Sequence, residues 1–576
     1  MSIAVRIAAL LLLSGPAAFG QGAPVDIPPG WISGDTHTHI QRCRICAPHT
    51  WCPDPDYSIV QLFEEQCFFE VDVSCQLVWN PAGLIDPDGN PGVEEFLAEY
   101  APLVTGDEDP ITQGDPEKVL LHGVEASGFD ASQFGHITAI GIHDAAFPTE
   151  RDFPGPILEF FREQPGAITG YAHAAWPVDY QLPPWYGPPN RTLPFLAPID
   201  LALGRLDYLE VTVFDHEMPM PGFSWRQLYY ALLNAGRRPS ITGGSDNCDD
   251  RTIGAIRTYA DIRAETLSPS TWIEAVRGGR TSLSYDRGQF LDVTVGGVGP
   301  GDRLALAQPA NVTVRATLHV GSGTEVTDTL EIIRDGIVVQ SVPFSLGEDE
   351  TQTFQIEVPV DESSWIAART FLTHSAAVFV TVSERPIAEL QDAQYWLSYC
   401  DDLAGNLVQF RLDEDEECAI LEDIAAAKEV FQAAASYRSV PPVGVARFGR
   451  ATASCDGPPA IVAIDAPVAG QVLRIACLNA PREASGWLLV GVRRLPEPIR
   501  IGGADIWVDP SGPVWGEHFP LPATSTAGGH AQLSFDIPAR LSGAPSLYGQ
   551  WIWLDPTECL PGQRLSASDA IDVMIE

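Results

Sequence analysis

The side chains with the clearest chemical use begin at Gly34-Asp35-Thr36-His37-Thr38-His39, directly after the apolar Trp31 and Ile32. Residues two apart on an extended chain project to the same side, so His37 and His39 can reach a single ion. Later apolar runs carry a carboxylate or an imidazole at one end. These are Glu125 in Gly-Val-Glu-Ala-Ser, His136 in Gly-His-Ile, His173 in Gly-Tyr-Ala-His-Ala, Glu210, and Asp246 in Gly-Gly-Ser-Asp. Imidazole nitrogen combined with carboxylate oxygen is the donor set of a borderline divalent transition metal. The expected metal ligands are therefore His37, His39, Glu125, His136, His173 and Asp246, with Glu210 supporting them. Glu125 and His143, which follows the fourth run, are the candidate catalytic side chains.

These residues must be carried by elements that end at one place. Apolar runs at 29–34, 71–79, 119–125, 136–142, 167–173, 206–213 and 239–244 read as strands. Helical patterns lie between several of them, at 59–69, 157–164 and 225–235. In the last, Leu228, Ala231, Leu232 and Ala235 recur at helical spacing, and Gly236 follows as a stop signal. Strands interleaved with helices predict a parallel, barrel-like α/β domain over 29–285, in which the loops after the strands gather at one face. From 286 to 388 the pattern becomes alternating β with hairpin turns such as Asp335-Gly336, which predicts a sandwich. Residues 389–438 read as a helical segment packing on the preceding domains, with Ile420, Ile424, Ala427 and Phe431 on one face. Residues 439–576 read as a further β domain.

Composition narrows the partners. A chain of 576 residues exceeds one core, and 45% hydrophobic content with 14 Trp and 24 Phe supports several. The net charge is -42, and Lys118 and Lys428 are the only lysines. Such a surface repels nucleic acid and anionic membranes. A small-molecule substrate is the expected partner, and Trp176, Trp185 and Tyr186 suggest an apolar pocket for it; oligomeric state is not readable. Residues 1–22 have the form of a secretory signal, with Arg6, an apolar run and a small-residue exit, so an exported protein, periplasmic or extracellular, is expected. The run is too short for a membrane span. Export permits disulfides among the 11 cysteines, and Cys43, Cys46 and Cys52 read as a stapled loop rather than a zinc knuckle. Nucleophile-elbow, phosphate-loop and dinucleotide motifs are absent from the sequence.

Taken in order along the chain, these motifs resemble the PHP (polymerase and histidinol phosphatase) metallohydrolases, in particular the carbaryl-hydrolase-like (CehA/McbA) branch. The likeness runs from Trp31 to about Ala435. It includes the Glu-Ala-Ser and Gly-His-Ile pairing between Glu125 and Ile137, and the segment Ser364-Trp365-Ile366-Ala367-Ala368-Arg369. The resemblance implies a fold of α/β class, a distorted PHP-type (β/α)7 barrel followed by all-β sandwich domains. It also implies two divalent ions (zinc, manganese or iron), one held by His37, His39, Glu125 and Asp246. Glu125 would bridge to the second, held by His136 and His173. Val78-Trp79-Asn80 and Asp246-Asn247-Cys248 depart from the family's Asp-His and Asp-x-His, which removes a third site. The implied activity is hydrolysis of an ester, amide, carbamate or phosphoester bond by a metal-activated hydroxide. The rival expectation, motivated by Trp79 and Cys248, is an inactive binding or scaffold protein at the cell surface. His374 reads as structural and His49 as surface.

Overall fold

Runs rich in β-branched and aromatic residues form strands when both faces are covered. The computed structural model describes residues 25, 27–38, 43–47, 50–53, 72–80, 119–126, 134–142, 153–174, 194–212, 224–246, 253–263, 265–410, 412–509, 520–543, 546–555 and 563–576. Its first strands are β1 (Trp31–Thr38), β2 (Cys43–Ala47), β3 (Thr50–Pro53), β4 (Val73–Asn80), β5 (Val119–Ala126) and β6 (Ile137–Ile140). They are followed by β7 (Ile168–Tyr171), β8 (Tyr208–Thr212), β9 (Ser240–Gly244), β10 (Arg257–Asp261) and β11 (Thr281–Ser284). Each of the seven expected apolar runs contains a strand. Among the described residues β2 and β3 pair only with each other, while the rest lie in the order β11-β10-β1-β4-β5-β6-β7-β8-β9.

The chain is mixed α/β, and its sheet departs from the expected parallel (β/α)7 barrel in two ways. β1, β4 and β5 are parallel, as are β7, β8 and β9, but β6 runs antiparallel to both its neighbours. The physical reason lies in residues 127–136: a parallel crossover needs about a dozen residues or more. Among the described residues no closed barrel is found either. The sheet rolls until β9 faces β10 and β11, and side chains rather than a ladder make the seam. Thr258 Oγ1 accepts from Gly243 N at 2.6 Å and donates to its carbonyl, and Thr281 Oγ1 donates to Ile241 O at 2.8 Å.

Helices α1 (Pro154–Arg162), α2 (Ala197–Leu203), α3 (Trp225–Asn234) and α4 (Pro269–Arg277) accompany the sheet. α4 starts cleanly, with Pro269 in its first turn and a reciprocal Ser268/Thr271 cap. Its Trp272 and Val276 pack on Val73, Leu121, Ile168 and Tyr208, near the starts of the parallel strands. That end of the roll is apolar. Strands β7 and β8 approach closely because residue 170 is glycine: a Cβ there would stand 2.4 Å from the Tyr208 ring.

The next strands are β12 (Gln289–Val295), β13 (Arg303–Leu306), β14 (Ala310–Val320), β15 (Val326–Arg334) and β16 (Ile337–Leu346). After them come β17 (Thr351–Val360), β18 (Ser364–Arg369), β19 (Thr373–Ser375) and β20 (Val378–Val382). One sheet, β12-β14-β17, faces the β13-β20-β18-β15-β16 set across a core that includes Val314, Leu318, Leu330, Ile332 and Val380. The second set is not a separate sheet. β19 pairs with β11 and β18, which fuses it to the rolled sheet as one assembly of 15 strands.

The expected helical segment consists of two helices, α5 (Leu390–Asn406) and α6 (Glu414–Arg438). A short 3-10 turn interrupts them, and Asp413 with Glu416 forms a capping box that restarts the helix. Their Trp396, Tyr399, Ile424 and Phe431 share one buried cluster with Ile199 and Leu228 of the α/β part. Toward the C-terminus a five-stranded sheet packs on a three-stranded one around the stacked rings of Trp551 and Trp553. Cys75, Cys400 and Cys477 are free and buried, Cys418 is free and exposed, and Cys455 is disulfide-bonded. Residues 1–22 and the side chains of Cys43, Cys46 and Cys52 lie outside the described residues. No helix among the described residues is long and apolar enough to cross a membrane.

Candidate metal centre

Side-chain alternation decides what each strand contributes to the inside of the roll. On β5, Leu121 packs inward with the α4 plug, so Gly123 and Glu125 have the same parity, and Glu125 is the last inward residue of the strand. On β6, Ile140 packs in the same cluster, which gives Thr138 and then His136 that parity in reverse. Because β6 runs antiparallel, His136 precedes its strand and still arrives beside Glu125, whose partner in the ladder is Thr138. His173 follows β7 with a left-handed backbone, φ 54°, a conformation uncommon for a side chain other than glycine. Asp246, just past β9, is left-handed too, with φ 45°. Backbone held in this region collects at functional sites.

Three of the expected ligands come together. The imidazole and carboxylate donor atoms of Glu125, His136 and His173 all lie within 4.8 Å of one another. His136 Nδ1 is 2.7 Å from Glu125 Oε1, and His173 Nε2 is 3.8 Å from the same oxygen. The two imidazole rings stand edge to face, with centroids 5.1 Å apart. Glu125 and His173 are buried, and His136 is partly exposed, so the cluster opens to solvent on one side.

Thr212, at the end of β8, was not singled out in the sequence, and it orients the site. Its Oγ1 is 2.8 Å from His173 Nδ1, which leaves Nε2 as the nitrogen facing Glu125. The available signal was a hydroxyl closing the strand Tyr-Leu-Glu-Val-Thr. Asp35 was also passed over. Fully buried, it accepts from Ser245 N at 2.9 Å, from Ser245 Oγ at 2.5 Å and from Gly254 N at 2.7 Å. It thereby ties the His37-bearing strand to the residue before Asp246. Glu210 is buried on β8, its carbonyl accepting from Ala174 N. Asp35 and Glu210 both act on the Cys75 thiol, which burial pushes well above its ordinary range.

His37 lies in β1, but its side chain is outside the described residues, and His39, His143 and Cys248 are outside them entirely. Asp246 is buried, on the β9 side of the roll, and is not one of the three clustered donors. His374 is fully buried: its Nδ1 donates to Ser375 O at 2.6 Å and its Nε2 accepts from Tyr230 at 2.7 Å. Burial holds its pKa well below the usual value.

A buried carboxylate and two imidazoles around one point fit a divalent metal. Three protein donors with an open side are the set used where zinc acts in catalysis, and His173 already has the supporting hydrogen bond that metal-ligating imidazoles need. His136 Nδ1 and Glu125 Oε1 are at hydrogen-bonding distance, and both atoms are of the types that ligate a divalent cation.

No family model matches the chain, and no curated protein matches it. Among solved structures it is similar to PsfC from Pseudomonas syringae PB-5123, with 18% identity over 43% of this chain and 89% of that one, at a TM-score of 0.27. It is also similar to red sea bream transglutaminase, with 7% identity over 57% of this chain and 38% of that one, at a TM-score of 0.13. At these TM-scores the likenesses carry no argument about fold or function.

Proposed function

We propose that the protein is a metal-dependent hydrolase of the PHP type, acting on an ester, amide, carbamate or phosphoester bond. The observation that carries the reading is the convergence of Glu125, His136 and His173 at one partly open point. These three residues would hold a divalent ion, zinc, manganese or iron, and a bound ion there would supply Lewis acidity and an activated water. Glu125 contributes the charge that makes the pocket cation-selective, through Oε1, the atom facing both imidazoles. Thr212 holds the tautomer of His173, and Asp35 holds the loop that carries Asp246 against β1. The membership of His37, His39 and Asp246 in a second ion's shell, the barrel-like character of the roll and export from the cell belong to the same proposal.

The test is metal stoichiometry followed by turnover. Wild-type protein loaded with zinc and desalted should retain at least one ion per chain, and His136→Gln with His173→Gln should retain less. Aryl ester, aryl carbamate and phosphodiester substrates should turn over only in metal-loaded protein. Activity that survives exhaustive chelation, or equal metal content in the double variant, would refute the reading. Metal bound without turnover of any of the three would favour the scaffold alternative.

A further inference from the structure

A second site lies outside the roll. An open polar cleft of about 780 Å3 separates α3 from the β15–β16 turn and the start of α5. Most of its arginines are answered by carboxylates. Arg369 meets Glu331 at 2.7 Å, Arg438 meets Glu362 at 2.6 Å, and Arg334 lies 3.8 Å from Asp335. Arg226 is different. It makes no hydrogen bond or ion pair among the described residues, its Nε is buried without a partner, and its guanidinium sits 5.4 Å from the Trp225 ring. A chain with 76 acidic against 34 basic residues has carboxylates to spare, yet Arg226 is left half-buried and unanswered; Arg238 also lacks an ion pair among the described residues, but it lies over the Phe379 ring, outside this cleft. Arginine cannot shed its proton to relieve the charge.

Ser224 and Gln227 line the same wall and add hydroxyl and amide donors. The first turn of α3 contains no acidic residue to compete for the position. Arg369 cannot serve the same role, because its fork is spent on Glu331 and on the Tyr230 hydroxyl at 3.1 Å. We propose that the cleft binds a small polar molecule through an oxyanion, a carboxylate or a phosphate, gripped by Arg226 with Ser224 and Gln227. The far end of the cleft, where Glu389 and Asp392 meet Asn234 at the C-terminal end of α3 beside Glu362, requires the rest of that molecule to be neutral or cationic. The site stands on its own geometry and does not depend on the metal centre.

Titration calorimetry on full-length, metal-free protein at low salt tests it, with succinate as the carboxylate probe and inorganic phosphate as the other. One of the two should bind at one site per chain, and the affinity should fall as salt is added. Arg226→Gln should weaken binding by about tenfold or more, the effect of losing a charge-assisted pair, and Arg226→Lys should recover part of it. His173→Gln should bind the probe unchanged. Absence of heat with both probes, equal affinity in a folded Arg226→Gln, or loss of binding in His173→Gln would each overturn the assignment.

Discussion

Replacing Arg205 with methionine should destabilise the protein by an amount that grows with pH. The Arg205 side chain is 10% exposed and joins three carboxylates from separate elements. Its Nε donates to Glu159 at 2.8 Å, NH1 to Asp200 at 3.1 Å and to Asp423 at 2.6 Å, and NH2 to Asp423 at 2.8 Å. Asp423 lies on α6 and Asp200 on α2, so this guanidinium bolts the helical pair to the α/β part. Asp200 also accepts from the Tyr171 hydroxyl at 2.8 Å. Burial pushes its carboxyl up from 3.8 to about 6, against the pull of Arg205 and Tyr171. A folded pKa above the unfolded one means that stability falls as pH rises through that window.

At pH 5 Asp200 is largely protonated with or without Arg205, so the variant loses packing and the Glu159 and Asp423 pairs, roughly 1–2 kcal/mol. Above pH 6 the wild-type carboxyl ionises while the variant, lacking the guanidinium, keeps its proton. Each further pH unit then widens the gap by about 1.4 kcal/mol. The total at pH 7 is about 2–3 kcal/mol. Urea midpoints of both proteins at pH 5, 6, 7 and 8, with equal m-values, measure it. A difference that stays constant across this range would refute the electrostatic account of Asp200.

Other expectations follow from single contacts. Thr212→Val should weaken zinc binding about tenfold in a competition titration while leaving the fold intact, because His173 loses its orienting partner. Asp335→Asn keeps the acceptor for Trp365 N at 3.0 Å and tolerates the left-handed φ of 53°. Burial raises Asp335 from 3.8 to about 7, so wild type loses stability as pH climbs through that interval and the amide does not. The variant should therefore be more stable by up to about 4 kcal/mol at pH 8, with the advantage gone below pH 4, as read from melting temperatures. Gly170→Ala should cost about 1–3 kcal/mol in denaturant unfolding, since its methyl would meet the Tyr208 ring.

Much of this architecture is written locally in the chain. The strand positions follow from apolar runs, and the placement of Glu125 and His173 at strand ends follows from where those runs stop. The direction of β6 does not. It is set by the link from β5, too short for a parallel crossover, and burial at every position of Ile137–Ile140 does not encode it. The break between α5 and α6 was legible in principle, because Asp413 and Glu416 stand at capping-box spacing within an acidic stretch that masks it. Thr212 and Asp35 escaped because a hydroxyl and a carboxylate at strand ends are common, and only the partner across the roll gives them a role. The seam at Thr258 and Gly243 is a relation between distant segments, which no local pattern encodes.

The ladder running from β11 through β19 into β18 bears on how this protein can be divided. A chain stopped at residue 285 would leave β11 with a bare row of amides and carbonyls, a template for pairing with its own copies. Trimming from the other side would strip β19 in the same way. The sandwich is thus a permanent flank of the site-bearing sheet rather than a removable module. Protease digestion should release no soluble fragment bounded at that junction.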